Sequence, residues 1–340
     1  MKRALTALWV AGLFSVPLWM TNQYVLHILV VTGIFIVAAM SLNLLLGYTG
    51  QLSLGHVAFF GIGAYASSLV SLGFNAPLAP GFALALDPQP VWCGMLAAVV
   101  VAGAFGWFIG KISFRVRGAY FVIVSISFAE VMRLVAVNWV ELTQGPMALN
   151  NIPPLTLWLP GVGEHVFWKK PENYWLILSV AVVSYILVRR LVRSRAGRAM
   201  IALRENEPLA TSVGIDVTGY LVLTTVVSAA MAGAAGALYA HYIRIVDPDV
   251  FLFIYTVTMV IMVVAGGKGT LAGPVVGGLI FGLLPETLRS LAIKPEAQWI
   301  VYGALMVLVV YFLPEGIVPA VRQWWQRRRG NAATMASAAS

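Results

Sequence analysis

The chain consists of long apolar runs separated by short polar segments, and this pattern restricts its fold more than any other feature. A helix needs about 20 apolar residues to cross a membrane. Hydrophobic residues make up 60% of the chain and charged residues 10%, whereas soluble domains carry about 25% charged residues. The sequence therefore predicts an all-α, polytopic integral membrane helix bundle. The predicted spans, about ten in number, are Ala4–Met20, Tyr24–Leu46, Gln51–Leu72, Val91–Gly110, Ala119–Val140, Tyr174–Leu191, Tyr220–Tyr242, Phe251–Ala265, Thr270–Leu291 and Gln298–Leu313.

The distribution of Lys and Arg predicts the orientation of the bundle. An even number of spans leaves both termini on one side, and loops that remain in the cytosol are enriched in basic residues. Sixteen basic residues fall on the side of the termini and five on the other, with Arg133 inside a span. We therefore expect cytoplasmic N- and C-termini, a cytosolic loop at 193–219 and a periplasmic loop at 141–173.

The two ends of the chain are interpreted separately from the bundle. Lys2, Arg3 and the apolar run after them resemble a signal peptide, but no small-residue cleavage site follows, so a retained first span is expected. Residues 1–320 are predicted to form a single transmembrane domain. Residues 321–340 are predicted to be a basic cytosolic tail with a disordered end.

The longest polar segment between apolar runs is Arg189–Tyr220, which carries six arginines. Ser194 is placed to cap a short helix with one apolar face. The positions that form this face are Ala196, Ala199, Met200 and Leu203.

A second short helix is predicted directly after the first. Asn206 or Glu207 would cap it, Pro208 would lie in its first turn, and Gly214 would end it. Two readings stay open at this point. The pair of helices is either a projection that another protein grips or a basic loop held on anionic lipid headgroups.

Other function classes find little support in the sequence. Cys93 is the only cysteine, so an internal disulfide is excluded, and the four histidines lack metal-ligand spacing. The phosphate-binding loop pattern fails at Lys268, because Gly269 follows it and Met262 stands where the first glycine is needed. Since no nucleophile motif or acid/base pair is found either, we predict no catalytic residues, no metal, no cofactor and no nucleic-acid binding.

A glycine-rich stretch interrupts the second and third apolar runs at Asn43–Tyr65. Gly55 and Gly61 are among the glycines that would allow close helix approach or a break in a helix beside a cavity. His56 is the one ionisable side chain there. Either it bonds to a neighbouring helix and has no further role, or it lines or gates a pathway.

A charged pair falls inside the fifth span. Glu130 and Arg133 are three residues apart, which puts them on one helical face where they can neutralise each other. The pair is either structural and inside the bundle, or it contacts a charged substrate or a partner subunit.

A further glycine cluster surrounds a single cation. Gly266, Gly267 and Lys268 predict a tight turn or broken element near the cytosolic end of a pathway, and small residues here also suit helix packing.

These segments together resemble one protein family. They read GYTGQLSLGHVAFFGIGAY, RGAYFVIVSISFAEVMR, LTQGPMALNNIP, SRAGRAMIALRENEPLATSVGI and GGKGTLAGPVVGG. The chain resembles the LivM-type permease subunit of branched-chain amino acid ABC importers. It departs from the family pattern at Gln144 and Ala148, where glycines are expected, and at Pro208, where alanine is commoner.

The resemblance implies an ABC importer permease fold in a bacterial inner membrane. Its implied partners are a sister permease, two cytosolic ATPase subunits that bind the ATP, a periplasmic substrate-binding protein and membrane lipid. The implied cargo is an aliphatic amino acid, although similar permeases serve urea, short amides or aromatic acids. A stand-alone secondary carrier and a membrane enzyme are the weaker alternatives. The implied ATPase-coupling residues are Gly197, Arg198, Arg204, Glu205 and Gly214.

Overall fold

The computed structural model describes residues 12–20, 22–79, 82–114, 119–159, 163–290 and 295–326. Most of the predicted first span lies outside these residues, and its described part, residues 12–19, is helical. The predicted tail lies outside them beyond residue 326.

Helices dominate the described residues. They are α1 (Gln23–Asn43), α2 (Val57–Leu72), α3 (Val91–Ser113), α4 (Ala119–Asn138), α5 (Val140–Thr143), α6 (Lys170–Arg193), α7 (Arg195–Glu205), α8 (Glu207–Ser212), α9 (Val217–Ile243), α10 (Phe253–Gly266), α11 (Gly273–Ser290) and α12 (Pro295–Phe312). Residues 317–326 are also helical. A π-helix, Leu44–Thr49, extends α1, and 3-10 turns lie at Gly145–Met147 and Pro248–Phe251.

Five helical segments among the described residues are long and apolar enough to cross a membrane: α1 with its π-helix, α3, α4, α6 and α9. The shorter apolar helices α2, α10 and the first part of α11 accompany them. The third predicted span was wrong at its start, because Gln51–His56 is not helical and α2 begins only at Val57. The chain there is held by hydrogen bonds to the side chains of Ser125 on α4 and Ser41 on α1, which a hydropathy pattern does not reveal.

The all-α prediction also needs a correction, because two antiparallel hairpins interrupt the helices. Strand β1 (Phe74–Ala79) pairs with β2 (Phe82–Leu86), and β3 (Thr156–Leu159) pairs with β4 (Gly163–Val166). In each hairpin a Pro-Gly pair lies between the two strands in the sequence, and this combination is typical of turns.

Helix α9 lies at the centre of the bundle and packs against α1, α2 and α3. Its buried face is made mainly of Ala, Gly, Ser and Thr, which let helix backbones approach closely where lipid provides no hydrophobic driving force. Helices α10 and α11 pack on each other and on α1, and α6 packs on the other side of α1.

The loop before β3 contains backbone that is unusual for its residues. Gln144 and Ala148, the two positions where the resemblance leads us to expect glycine, both have φ of 60°. Ala148 combines this φ with a ψ of 152°, a region used almost only by glycine. Its neighbour Leu149 forms an antiparallel bridge with Val246, which holds the strained residue in place.

We therefore expect Ala148→Gly to stabilise the protein by about 1 kcal/mol, because relief of the strain exceeds the entropy lost by a more flexible unfolded chain. The thermal midpoint in detergent should rise. Ala104→Gly, at an exposed position within α3, is the matched control and should lower the midpoint. A decrease for both variants would contradict the strain argument.

Candidate coupling site and pathway elements

The polar segment forms two short helices with the predicted caps. The Ser194 side chain accepts a hydrogen bond from the Gly197 amide at the start of α7. Asn206 accepts one from the Leu209 amide at 3.0 Å at the start of α8. Gly214 has a φ of 83° and follows the end of α8. Local sequence signals were sufficient here because capping involves residues only three apart.

The predicted coupling residues differ in their exposure to solvent. Gly197 is buried against the backbone of Val192, where a side chain would clash. Arg198, Arg204, Glu205 and Gly214 are exposed. Arg204 also donates a hydrogen bond inward, to the Gly47 carbonyl. Gly197 is therefore the one residue of the five that is not available for contact with another protein.

Two apolar residues that the sequence argument missed are prominent on this segment. The exposed fraction is 61% for Leu209 and 70% for Val213. Val213 directly follows α8 and its amide donates to the Leu209 carbonyl, so the four-residue spacing places the two side chains on the same side. Two such residues within an otherwise polar segment were a readable signal for a contact surface.

Arg204 joins α7 to the end of the π-helix. Its Nη1 atom donates a hydrogen bond to the Gly47 carbonyl at 2.8 Å, and its Nε atom donates to Glu205 at 3.1 Å. Two glycines make room for the side chain. A Cβ on Gly269 would lie 2.6 Å from Nη1, and one on Gly50 would lie 3.1 Å from the Arg204 Cγ.

Asn43 fastens the same π-helix to the turn between α10 and α11. Its Oδ1 accepts from the Gly269 amide at 2.9 Å, and its Nδ2 donates to the Thr270 carbonyl at 2.9 Å. The side chain is buried. Arg204 and Asn43 therefore connect the polar segment, the end of α1 and the glycine turn in one network. A lone amide in an apolar run was the available sequence signal for Asn43.

The glycine turn itself is tightly packed. A Cβ on Gly266 would meet the backbone of Gly273, and Gly267 has a φ of 122° beside Pro319. Lys268 is exposed, and none of the hydrogen bonds or ion pairs found among the described residues involves it. The turn is thus a fixed element with a cation at its tip.

His56 is fully buried just before α2. Its Nε2 lies 2.7 Å from the Ser41 hydroxyl, and that hydroxyl donates to the Ala38 carbonyl at 2.6 Å. Because the Ser41 hydroxyl already donates its proton to Ala38, His56 is assigned as the donor, through Nε2, in its hydrogen bond with Ser41. Its Nδ1 has no partner among the described residues. In this conformation His56 ties the start of α2 to α1 and does not face an open pore.

Gly55 and Gly61 allow close contacts on either side of His56. A Cβ on Gly55 would collide with the Ser125 carbonyl of α4, and one on Gly61 would meet the Phe251 ring at 2.5 Å or closer. A small cavity beside Gly55 has room for about one water molecule. This cavity is too small for an amino acid.

Glu130 and Arg133 form the predicted ion pair, with Arg133 Nη2 2.7 Å from Glu130 Oε1. Of the two readings left open by the sequence, the position of the pair inside this chain's own bundle does not fit the structure. The exposed fraction of the side chain is 52% for Glu130, which lies on the outer face of α4, and 28% for Arg133, which lies at the edge of that face.

Comparisons with known proteins give a consistent result. The family described as branched-chain amino acid transport system / permease component matches residues 24–310. The chain belongs to this family. It is 29% identical to the LivM permease protein of Escherichia coli K12 over 92% of this chain and 74% of LivM. It is 30% identical to the LivH permease protein of that strain, over 82% of this chain and 89% of LivH. A probable LivM from Methanocaldococcus jannaschii is 25% identical over 88% of this chain and 94% of that protein. No solved structure matches the chain.

In this family member the candidate residues separate into three places. The first is the network of Arg204 with the glycine turn. The second is the buried start of α2 around His56. The third is the exposed face of α4 that carries Glu130 and Arg133. The permease fold thus brings some predicted site residues together but gives no single site.

Proposed function

We propose that this chain is the membrane-spanning permease subunit of an ATP-driven ABC importer that carries branched-chain aliphatic amino acids across a bacterial inner membrane. Family membership over residues 24–310 carries the proposal. The named relatives LivM and LivH are permease proteins of branched-chain amino acid transport systems. Because the sequence lacks a phosphate-binding loop, the energy comes from ATP bound by separate subunits.

The complete importer contains a sister permease, two cytosolic ATPase subunits and a periplasmic binding protein. Similarity to both LivM and LivH of one organism supports a pair of related permeases. The chain crosses the membrane about ten times with both termini cytoplasmic. Nine apolar helices and the helical residues 12–19, all among the described residues, support this count.

The projection formed by α7 and α8 is the contact with an ATPase subunit. Leu209 and Val213 supply its apolar part, and the exposed Arg195 and Arg198 supply its charge. Closure of the ATPase pair moves this projection, and the network around Arg204 passes the movement to the ends of α1 and α10. The pathway then alternates between outward-open and inward-open forms.

The test is reconstitution of the chain in liposomes with its partner subunits. We expect leucine to accumulate only when ATP and the binding protein are both present. Liposomes that contain this chain alone should show no accumulation under an ion gradient. If they do concentrate leucine, the chain is a secondary carrier. Titration of the binding protein with leucine, urea, short amides and aromatic acids identifies the cargo.

A further inference from the structure

Helix α4 has an exposed face that differs from that of α3. Residues at helical spacing form a stripe along it, and three of its members are polar. The stripe consists of Ile123, Ile126, Ser127, Glu130, Val131, Leu134, Val135 and Asn138. Arg133 lies beside it and is paired with Glu130.

Helix α3 offers a direct comparison because it has a similar length and hydropathy. Its exposed face is apolar from Trp92 to Phe108, and the only charge on it is Lys111 in the last turn. Such a face suits lipid. The Glu130 charge in α4 lies eight residues before Asn138, or about 12 Å at 1.5 Å per residue.

Lipid is a poor environment for the α4 stripe. Charged side chains in spanning helices face the protein interior or water, because hydrocarbon cannot solvate them. The described residues of this chain leave about half of the Glu130 side chain and about a quarter of the Arg133 side chain uncovered, because α4 packs through its other side, mainly against α2 and the 3-10 turn Pro248–Phe251. A polar environment outside this chain must therefore cover the pair.

We propose that the α4 stripe faces a water-filled passage and binds the zwitterionic head of the transported amino acid. The Arg133 guanidinium binds the carboxylate of the solute, and the Glu130 carboxylate binds its ammonium group. Ile126 and Leu134, one turn to either side of Glu130, contact the aliphatic side chain. This inference rests on the proposed function and assigns its solute a place in the permease.

Two features suit the pair to this task. The first is the weakness of the pair. In water an ion pair contributes only about 0–1 kcal/mol, so Glu130 and Arg133 can separate and bind a solute at little cost in free energy. The second feature is Asp249, an exposed acidic residue on the 3-10 turn against which α4 packs, which puts a further negative charge on a neighbouring element.

Accessibility to a water-soluble reagent tests the passage. In a Cys93→Ala background, cysteines are placed at Ile126 and Leu134, with matched controls at Leu96 and Val100 on α3. A charged, membrane-impermeant methanethiosulfonate is added to the complete importer. We expect the α4 cysteines to react at least tenfold faster than the α3 controls, and leucine with the binding protein to slow the reaction. Rates equal to those of the controls would overturn the proposal, because the face would then meet lipid or the sister permease.

A charge exchange separates binding from a structural role. Glu130→Gln and Arg133→Gln should each lower leucine uptake at least tenfold. The double exchange Glu130→Arg with Arg133→Glu keeps an ion pair but reverses the charges offered to the solute. We expect it to assemble normally and to remain at least tenfold below wild type. Full recovery of uptake would show a structural pair only. If the wild-type importer shows no ATP-dependent uptake, the proposed function fails, whatever the labelling result.

Discussion

Replacing Arg204 by glutamine is expected to lower ATP-driven uptake at least tenfold while the ATPase subunits remain bound. The Arg204 side chain extends from α7, and its guanidinium donates a hydrogen bond to the Gly47 carbonyl at 2.8 Å. It therefore connects the cytosolic projection to the π-helix that extends α1. A hydrogen bond from a charged donor contributes about 1.5–3 kcal/mol, which corresponds to a factor of about 10 to 150. Uptake and co-purification of the ATPase, measured on the same preparation, separate transmission from docking.

The matched control is Arg190→Gln, which removes an exposed arginine from the end of α6. It should leave uptake within about twofold of wild type. Arg204→Lys should lie between the two, because an ammonium keeps the charge but not the fixed fork of donors. If Arg204→Gln releases the ATPase instead, the side chain serves an external contact and the inward role is wrong.

The second large effect concerns the crossing of α2 and α9. Gly63→Val is expected to prevent stable folding, since a Cβ at Gly63 would overlap the backbone of Gly233. Gly236 meets the Phe60 carbonyl in the same way. Added methyl groups in packed cores cost about 1–3 kcal/mol when side chains can shift, and backbone leaves less room to relax.

Size-exclusion profiles and thermal midpoints in detergent measure this effect. Gly303→Val is the matched control, because a Cβ there has nothing within 4 Å. It should give a monodisperse protein with a midpoint close to that of wild type. Equal behaviour of the two variants would mean that the α2 and α9 contact tolerates separation.

The sequence was a good guide where local rules apply. The caps Ser194 and Asn206 depend on bonds within one turn, and the structure contains both. Gly214 was predicted to end the second short helix, and its left-handed backbone agrees with that position. The hairpin strands were missed because short strands in loops carry no long hydrophobic period.

Directions of side chains were harder to predict. The burial of His56, the inward turn of Arg204 and the exposed position of Glu130 are all set by neighbouring helices distant in sequence. An ion pair at three-residue spacing was predictable, but the face on which it lies was not.

The sequence by itself determined that this chain is a multi-pass membrane protein, where most of its helices lie and to which family it belongs. Only the tertiary structure decided which helix faces are buried and which residues meet across the bundle. The reason is physical. In a soluble helix, polar residues mark the outside, but a spanning helix is apolar on the face that meets lipid as well as on the face that meets protein. Helix α9, apolar on all sides, shows no pattern that distinguishes the two, and only its contacts with α2 and α3 do so.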